Sequence, residues 1–185
     1  MVGKVREGAT ALKLETKRLV IRTYEPSDGE LWLAMVNQRE FRRFLPPFPH
    51  QTIEAFARMV GHLPELEAER GYGVWAVVAS DHLVGQCGLA PVEGTGPGVE
   101  LVYHFATEAW GKGFATEAAR AVLSYAFGTI GLERVVALVM PENVASCRVA
   151  EKAGMRFEQE VSAYDIETFS QYAAERGWWA PPGEG

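Results

Sequence analysis

The segment Ala109–Ala118, "AWGKGFATEA", sets two glycines either side of a lysine at the mouth of an Ala/Glu-rich run. Gly111 and Gly113 leave backbone N–H groups unshielded and free to turn toward one point. A helix beginning there adds unpaired N–H groups and the positive end of its dipole, which together make a seat for an anion such as a phosphate. Just upstream, "VELVYHF" (Val99–Phe105) alternates as a strand. Glu100, Val102 and His104 fall on one face, and Val99, Leu101, Tyr103 and Phe105 on the other. A carboxylate is a poor strand former, so Glu100 stands out. Downstream, Asn143 and Ser146 open a second helical pattern.

Each of these residues also has an ordinary structural reading. The glycines could form a mere tight turn, and Lys112 is a solvated charge rather than a catalytic group. Asn143 could only cap a helix, and Ser146 only satisfy backbone donors in its first turn. His104 could be a hydrogen-bonded interior histidine, and Glu100 could lie on a solvated face. Two familiar phosphate motifs are excluded. A Walker loop needs Gly-Lys followed by Ser or Thr, whereas Lys112 is followed by Gly113 and Phe114. A dinucleotide fingerprint needs a third glycine and a βαβ start, and neither is present.

The elements that must carry these residues follow from the periodicity. "RLVIRTY" (Arg18–Tyr24) reads as a strand, and Ser27 or Asp28 can cap the helix after it. "FLPPFPH" (Phe44–His50) is an aromatic loop, because its prolines lack backbone donors. A helix is predicted from about Thr52 to Glu69. "YGVWAVVA" and "LVGQCGLAPV", parted by "SDH", predict an antiparallel hairpin, and "EGTGPG" a turn. Residues from Ala119 to Ile130 repeat at three and four, a helix ending near Gly128 and Gly131. "RVVALVM" (Arg134–Met140) is a strand buried on both faces. "NVASCRVAEKAG" is a helix between an Asn143 cap and a Gly154 cap. "FEQEV" is another strand, and a last one is expected near Ile166–Tyr172. The predicted order is β-α-α-β-β-β-α-β-α-β-β.

The chain has 185 residues, 48% of them hydrophobic, which suits one globular domain. Residues 1–13 are expected to be a flexible extension and 14–185 one domain. A net charge of −6 argues against a nucleic-acid partner. Cys87 and Cys147 form no CxxC or Cys/His cluster, so no metal is expected and both read as small buried hydrophobes. No stretch is apolar enough for a signal peptide or a bilayer span, which makes the cytoplasm the default and membrane partners unexpected.

The run from "VELVYHFATEAWGKGFATEA" to "NVASCRVAEKAGMRFE", with the opening "LETKRLVIRTYEPSD", resembles the GNAT acetyltransferase superfamily. Within it the chain is similar to the branch of ribosomal-protein N-terminal acetyltransferases. The resemblance covers roughly residues 14–162. It implies an α/β (α+β) fold, a mixed and mostly antiparallel sheet flanked by helices. It also implies acetyl-CoA as co-substrate, bound between the strand ending at Phe105 and the strand 134–140. The family loop maps onto Trp110, Gly111, Lys112, Gly113, Phe114 and Ala115, with Trp110 in place of the usual Gln or Arg. The N–H groups through Thr116 would hold the pyrophosphate, and the backbone of Val102, Tyr103 and His104 the pantetheine arm. Asn143 and Ser146 fall near the thiol end. The implied reaction is direct attack by a primary amine, a peptide or protein α-amino group, in a ternary complex. Glu100 is the favoured base, His104 the second choice, and Ser146 the hydroxyl beside the leaving sulfur. The tyrosine acid of many superfamily members has no counterpart in "AEKAGM". A homodimer is left open. The alternatives are a small-molecule amine as acceptor and a non-catalytic acyl-CoA-binding module.

Overall fold

The computed structural model describes residues 12–45, 48–92, 98–164 and 166–181, the last without the side chains of Ile166 and Glu167. Residues 1–11 of the expected extension, Pro46 and Pro47 of the aromatic loop, and 93–97 of the glycine-rich turn lie outside them. Eight strands form one sheet: β1 (Lys13–Glu15), β2 (Val20–Arg22), β3 (Val74–Ala79), β4 (His82–Pro91), β5 (Val99–Phe105), β6 (Arg134–Val139), β7 (Arg156–Ala163) and β8 (Ile166–Glu175). Their spatial order is β1-β2-β3-β4-β5-β6-β8-β7. All pairings are antiparallel except β5 with β6. The helices are α1 (Gly29–Val36), the single turn α2 (Arg39–Arg42), α3 (Ile53–Arg70), α4 (Phe114–Tyr125) and α5 (Val144–Lys152).

The two faces of the sheet carry two cores. On one, α4 presents Ala118, Ala119, Val122 and Leu123, spaced at one, three and four, to Ile21, Val77, Cys87, Leu89, Leu101 and Val135. On the other, Trp32, Met35 and Val36 of α1, Phe41 of α2 and Phe56 of α3 gather around Tyr24 and Ala76. Burying such residues at about 25 cal/mol per Å² of apolar surface is what holds the helices to the sheet. Cys87 is fully buried, as expected, whereas Cys147 is only half-buried.

Several local expectations need correction. The hairpin turn between β3 and β4 is Ser80–Asp81, and both residues have positive φ, 48° and 64°. That backbone matches strand twist without glycine, because Asp tolerates the left-handed region. Asp28 precedes α1 but makes no side-chain cap to it. Its buried carboxylate instead takes the Arg22 guanidinium at 2.8 and 2.9 Å and the Glu25 N–H at 2.8 Å. Gly154, with φ 89°, stands one place beyond the α5 cap, which is Ala153. The helix α4 passes into a π-helical turn, Ala126–Ile130, that ends on Gly131. β1, of three residues, and α2, of four, are too short for their sequences to show a period. The last strand runs three residues further than Tyr172 because β6 pairs with it through Arg134↔Glu175.

Candidate active site

Strands β5 and β6 are parallel, yet their register pairs only Glu100 with Val136, near the start of each. Beyond that pair the two strands diverge. The opening between them therefore lies toward their carboxyl ends, where ligands of parallel strands sit. Helices α4 and α5 both begin there, so two helix N-termini flank one cleft. On its other side β5 is fully paired to β4, through Gly88↔Val102, Cys87↔Tyr103 and Gln86↔His104. The free edge of Val102, Tyr103 and His104 consequently faces the cleft.

The loop before α4 has the geometry of an anion seat. Gly111 and Gly113 have φ of 73° and 79°, a region that side chains with a Cβ rarely enter. Nothing lies within 4 Å of where a Cβ on Gly111 would stand. Among the described residues, the N–H groups from Gly111 through Thr116 make no hydrogen bond to the protein; the first helical bond is Glu117 N–H to Gly113 O at 3.1 Å. Six amides in succession are thus available to a ligand, which fits a pyrophosphate. Trp110, half-exposed, donates from its indole N–H to Phe105 O at 2.8 Å and ties the end of β5 to the loop. Lys112 is solvent-facing, and Phe114, Ala115 and Thr116 form the first turn of α4.

At the apex of the cleft Glu100 is only 5% exposed. The Tyr164 hydroxyl donates to its Oε2 at 2.5 Å. Tyr164 stands in the turn after β7 with φ 53°, an uncommon backbone for a bulky residue, and its ring packs edge-on against Phe169. His104 lies in a separate polar chain. The Tyr24 hydroxyl donates to Gln86 Oε1 at 2.9 Å, and Gln86 Nε2 lies 3.1 Å from His104 Nδ1. Because the Gln86 oxygen is the acceptor from Tyr24, its nitrogen is the donor, so Nδ1 accepts and Nε2 carries the imidazole hydrogen. Burial pulls the His104 pKa down to about 4, so the ring is neutral at physiological pH.

On the α5 side, Asn143 Oδ1 accepts the Ser146 N–H at 3.2 Å, so Asn143 caps the helix. The Ser146 hydroxyl donates to Tyr103 Oη at 3.0 Å, and Tyr103 donates in turn to the Ser146 carbonyl at 2.9 Å. Burial pushes the Tyr103 phenol above its ordinary range. Glu100 and His104 are thus held by different partners, and Ser146 is joined to Tyr103, which crosses the cleft from β5.

A model of the acetyltransferase (GNAT) domain matches residues 18–156. The chain belongs to the GNAT acetyltransferase family. It is similar to a probable N-acetyltransferase of Bacillus subtilis, YjcK, at 34% identity over 154 residues, 78% of this chain and 84% of that one. The crystal structure of a GNAT acetyltransferase from Bacillus anthracis superposes with a TM-score of 0.73 and 27% identity, covering 90% of this chain and 99% of the other. A ribosomal-protein-S5-alanine acetyltransferase from Vibrio fischeri shares the fold at a TM-score of 0.77 and 20% identity, covering 92% and 100%. This GNAT chain is therefore an acyltransferase of the N-acetyltransferase kind, with the mixed, mostly antiparallel sheet of its relatives. The family uses acetyl-CoA as co-substrate. Among the described residues no cluster of three His, Cys, Asp or Glu side chains is placed to hold a metal ion. No helix among them is long and apolar enough to cross a membrane.

The sequence alone did not single out Tyr164, nor Thr16, Arg18 and Glu117 behind the glycine loop. Tyr164 sits at a hairpin turn with no local pattern. Its neighbour Glu100 is 64 positions away. The spacing between Glu117 and Arg18 is 99 positions.

Proposed function

We propose that this chain moves an acetyl group from acetyl-CoA to a primary amine, the α-amino group of a peptide or protein, by direct attack in a ternary complex. The observation that carries this reading is the single β5–β6 pairing, which opens a cleft with the amide seat at one end and the buried carboxylate of Glu100 at the other. Acetyl-CoA would supply a thioester carbonyl already activated for transfer.

The residues divide the work as follows. Gly111 to Thr116 would hold the pyrophosphate on their N–H groups. The free edge of Val102, Tyr103 and His104 would take the pantetheine arm and offer N–H groups to the carbonyl oxygen as it gains charge. Asn143 would border the thiol end. The acceptor arrives as an ammonium, and Glu100 would take its proton directly or through a water. The nitrogen lone pair then forms the C–N bond while the C–S bond breaks. The departing sulfur would receive a proton from the Ser146 hydroxyl, which must first turn away from Tyr103. The surplus proton of the newly bonded nitrogen would return to the Ser146 oxygen, directly or through water, leaving a neutral amide and CoA thiol. His104, neutral and hydrogen-bonded to Gln86, is a weaker candidate for the base than Glu100.

A protein N-terminus heads the acceptor panel because the resemblance includes the ribosomal-protein branch. The test is release of free CoA thiol from acetyl-CoA in the presence of peptide N-termini, ribosomal proteins, amino acids and polyamines. Turnover with peptides or proteins is expected. Turnover with small amines alone would reject the protein acceptor and keep the enzyme. Binding of acetyl-CoA with no turnover by any amine would favour a binding module.

A further inference from the structure

Behind the glycine loop lies a set of contacts that the transfer chemistry does not use. The turn between β1 and β2 offers the Thr16 hydroxyl and the Arg18 N–H to one oxygen of Glu117, at 2.7 and 2.9 Å. The Arg18 Nε donates to the other oxygen at 2.7 Å. Arg18 Nη1 reaches on to the Lys112 carbonyl at 2.8 Å, between the two glycines. The guanidinium lies over the Phe114 ring, 4.9 Å from its centroid, and its Nη2 would stand 3.3 Å from a Cβ on Gly113. The turn itself is fixed, with Thr16 and Leu19 bonded through both backbone and hydroxyl.

Two physical consequences follow. In a loop whose amides converge on an anion, the carbonyls point outward. A donor fastened to the Lys112 carbonyl therefore holds the loop from behind and aims its N–H groups into the cleft. Glu117 also sits in the first turn of α4, where its charge would repel an incoming phosphate. Burial would raise the Glu117 carboxyl, but the Thr16 and Arg18 hydrogen bonds outweigh it and hold the group below the ordinary carboxylate range. Arg18 neutralises that fixed charge at contact distance.

We propose that Arg18 is a positioning residue for the co-substrate: it shapes the Gly111–Gly113 loop through the Lys112 carbonyl and cancels the charge of Glu117, without touching the reacting atoms. The inference rests on the acetyl-CoA reading above.

The test compares wild type, R18M, R18K and the double variant R18M/E117Q. Affinity for acetyl-CoA is measured by calorimetry, turnover at saturating acetyl-CoA by thiol release, and the order of the loop by NMR backbone order parameters of residues 111–116 without ligand. R18M should weaken acetyl-CoA binding about tenfold or more, the scale of a lost charge-assisted contact. Its KM for acetyl-CoA should rise while kcat stays within about twofold. Backbone order parameters at 111–116 should fall with the melting temperature little changed. R18K, which keeps the charge but not the bridging fork, should recover part of the affinity. So should R18M/E117Q, because the repelling charge is gone. Wild-type-like affinity in R18M would overturn the proposal and leave the acetyl-CoA reading standing. Absence of acetyl-CoA binding by the wild-type chain would instead remove the reading on which it rests. A fall in kcat as large as the rise in KM would also overturn it, since Arg18 would then act on the chemistry.

Discussion

At the scale of single residues, the site separates two groups that share a strand face. Glu100 and His104 are four residues apart, about 13 Å along an ideal strand. Each has its own hydrogen-bond partner, Tyr164 for one and Gln86 for the other. Their substitutions should therefore have different signatures. Glu100→Gln removes the basic oxygen and keeps the shape. It should lower kcat by about 10²-fold or more with acetyl-CoA affinity nearly unchanged. Tyr164→Phe should cost less, because the carboxylate remains. Native turnover by Glu100→Gln across pH 6 to 9 would show that the base lies elsewhere. His104 calls for a different measurement. Its folded pKa, about 4, lies below the ordinary histidine value of 6.5. The unfolded chain therefore binds the extra proton between those values, and the contribution of the neutral ring to stability, complete above pH 6.5, drains away as pH falls toward 4. Urea midpoints of the wild type should decline between pH 6.5 and 5. The decline should be shallower in His104→Gln, and identical slopes in the two proteins would refute the assignment.

At the scale of elements, the start of α4 concentrates the strongest expectation. Gly113 has φ 79° and sits beside the Arg18 guanidinium, so a branched side chain there meets both backbone strain and crowding. Gly113→Val should remove the heat shift that acetyl-CoA gives the wild type. That shift corresponds to about 2.7 kcal/mol at a hundred times the dissociation constant. A shift of native size in the variant would refute the amide seat. What the sequence revealed of these elements depended on length and period. The hairpin of β3 and β4, the helix from Thr52, and α4 and α5 were legible because apolar residues recur over many positions. In α3, Thr52 even makes the cap its type suggests, accepting the Ala55 N–H at 3.3 Å. β1 has three residues and α2 four, too few for a repeat to register. The role of Asp28 was hidden for another reason. A carboxylate before a helix looks like a cap of that helix; here it accepts the Glu25 N–H of the preceding 3-10 turn, and only the tertiary position of Arg22 decides that it is an ion-pair partner as well. Ser146, Asn143 and the glycines could be named from local motifs. Tyr164 and Arg18 could not, because what they do is defined by chain segments far away in sequence.

At the scale of the whole molecule, the sheet is two half-sheets that touch at one pair, Glu100 with Val136. One half runs β1 to β5, and the other is β6, β8 and β7, with β8 between its neighbours. The middle strand of the second half is therefore the one that comes last in the sequence. Translation delivers the chain from its amino end, and domains close as their parts emerge. The five strands of the first half, and the glycine loop with α4, can be laid down before residue 134 exists. β6 cannot be held from its far side until residues 166–175 have left the ribosome, since it is β8 that pairs along its length from Arg134 to Val139. One wall of the cleft is thus the final piece to set. A nascent chain carries the amide seat but not the vise, so the cleft comes into being only as the last strand arrives.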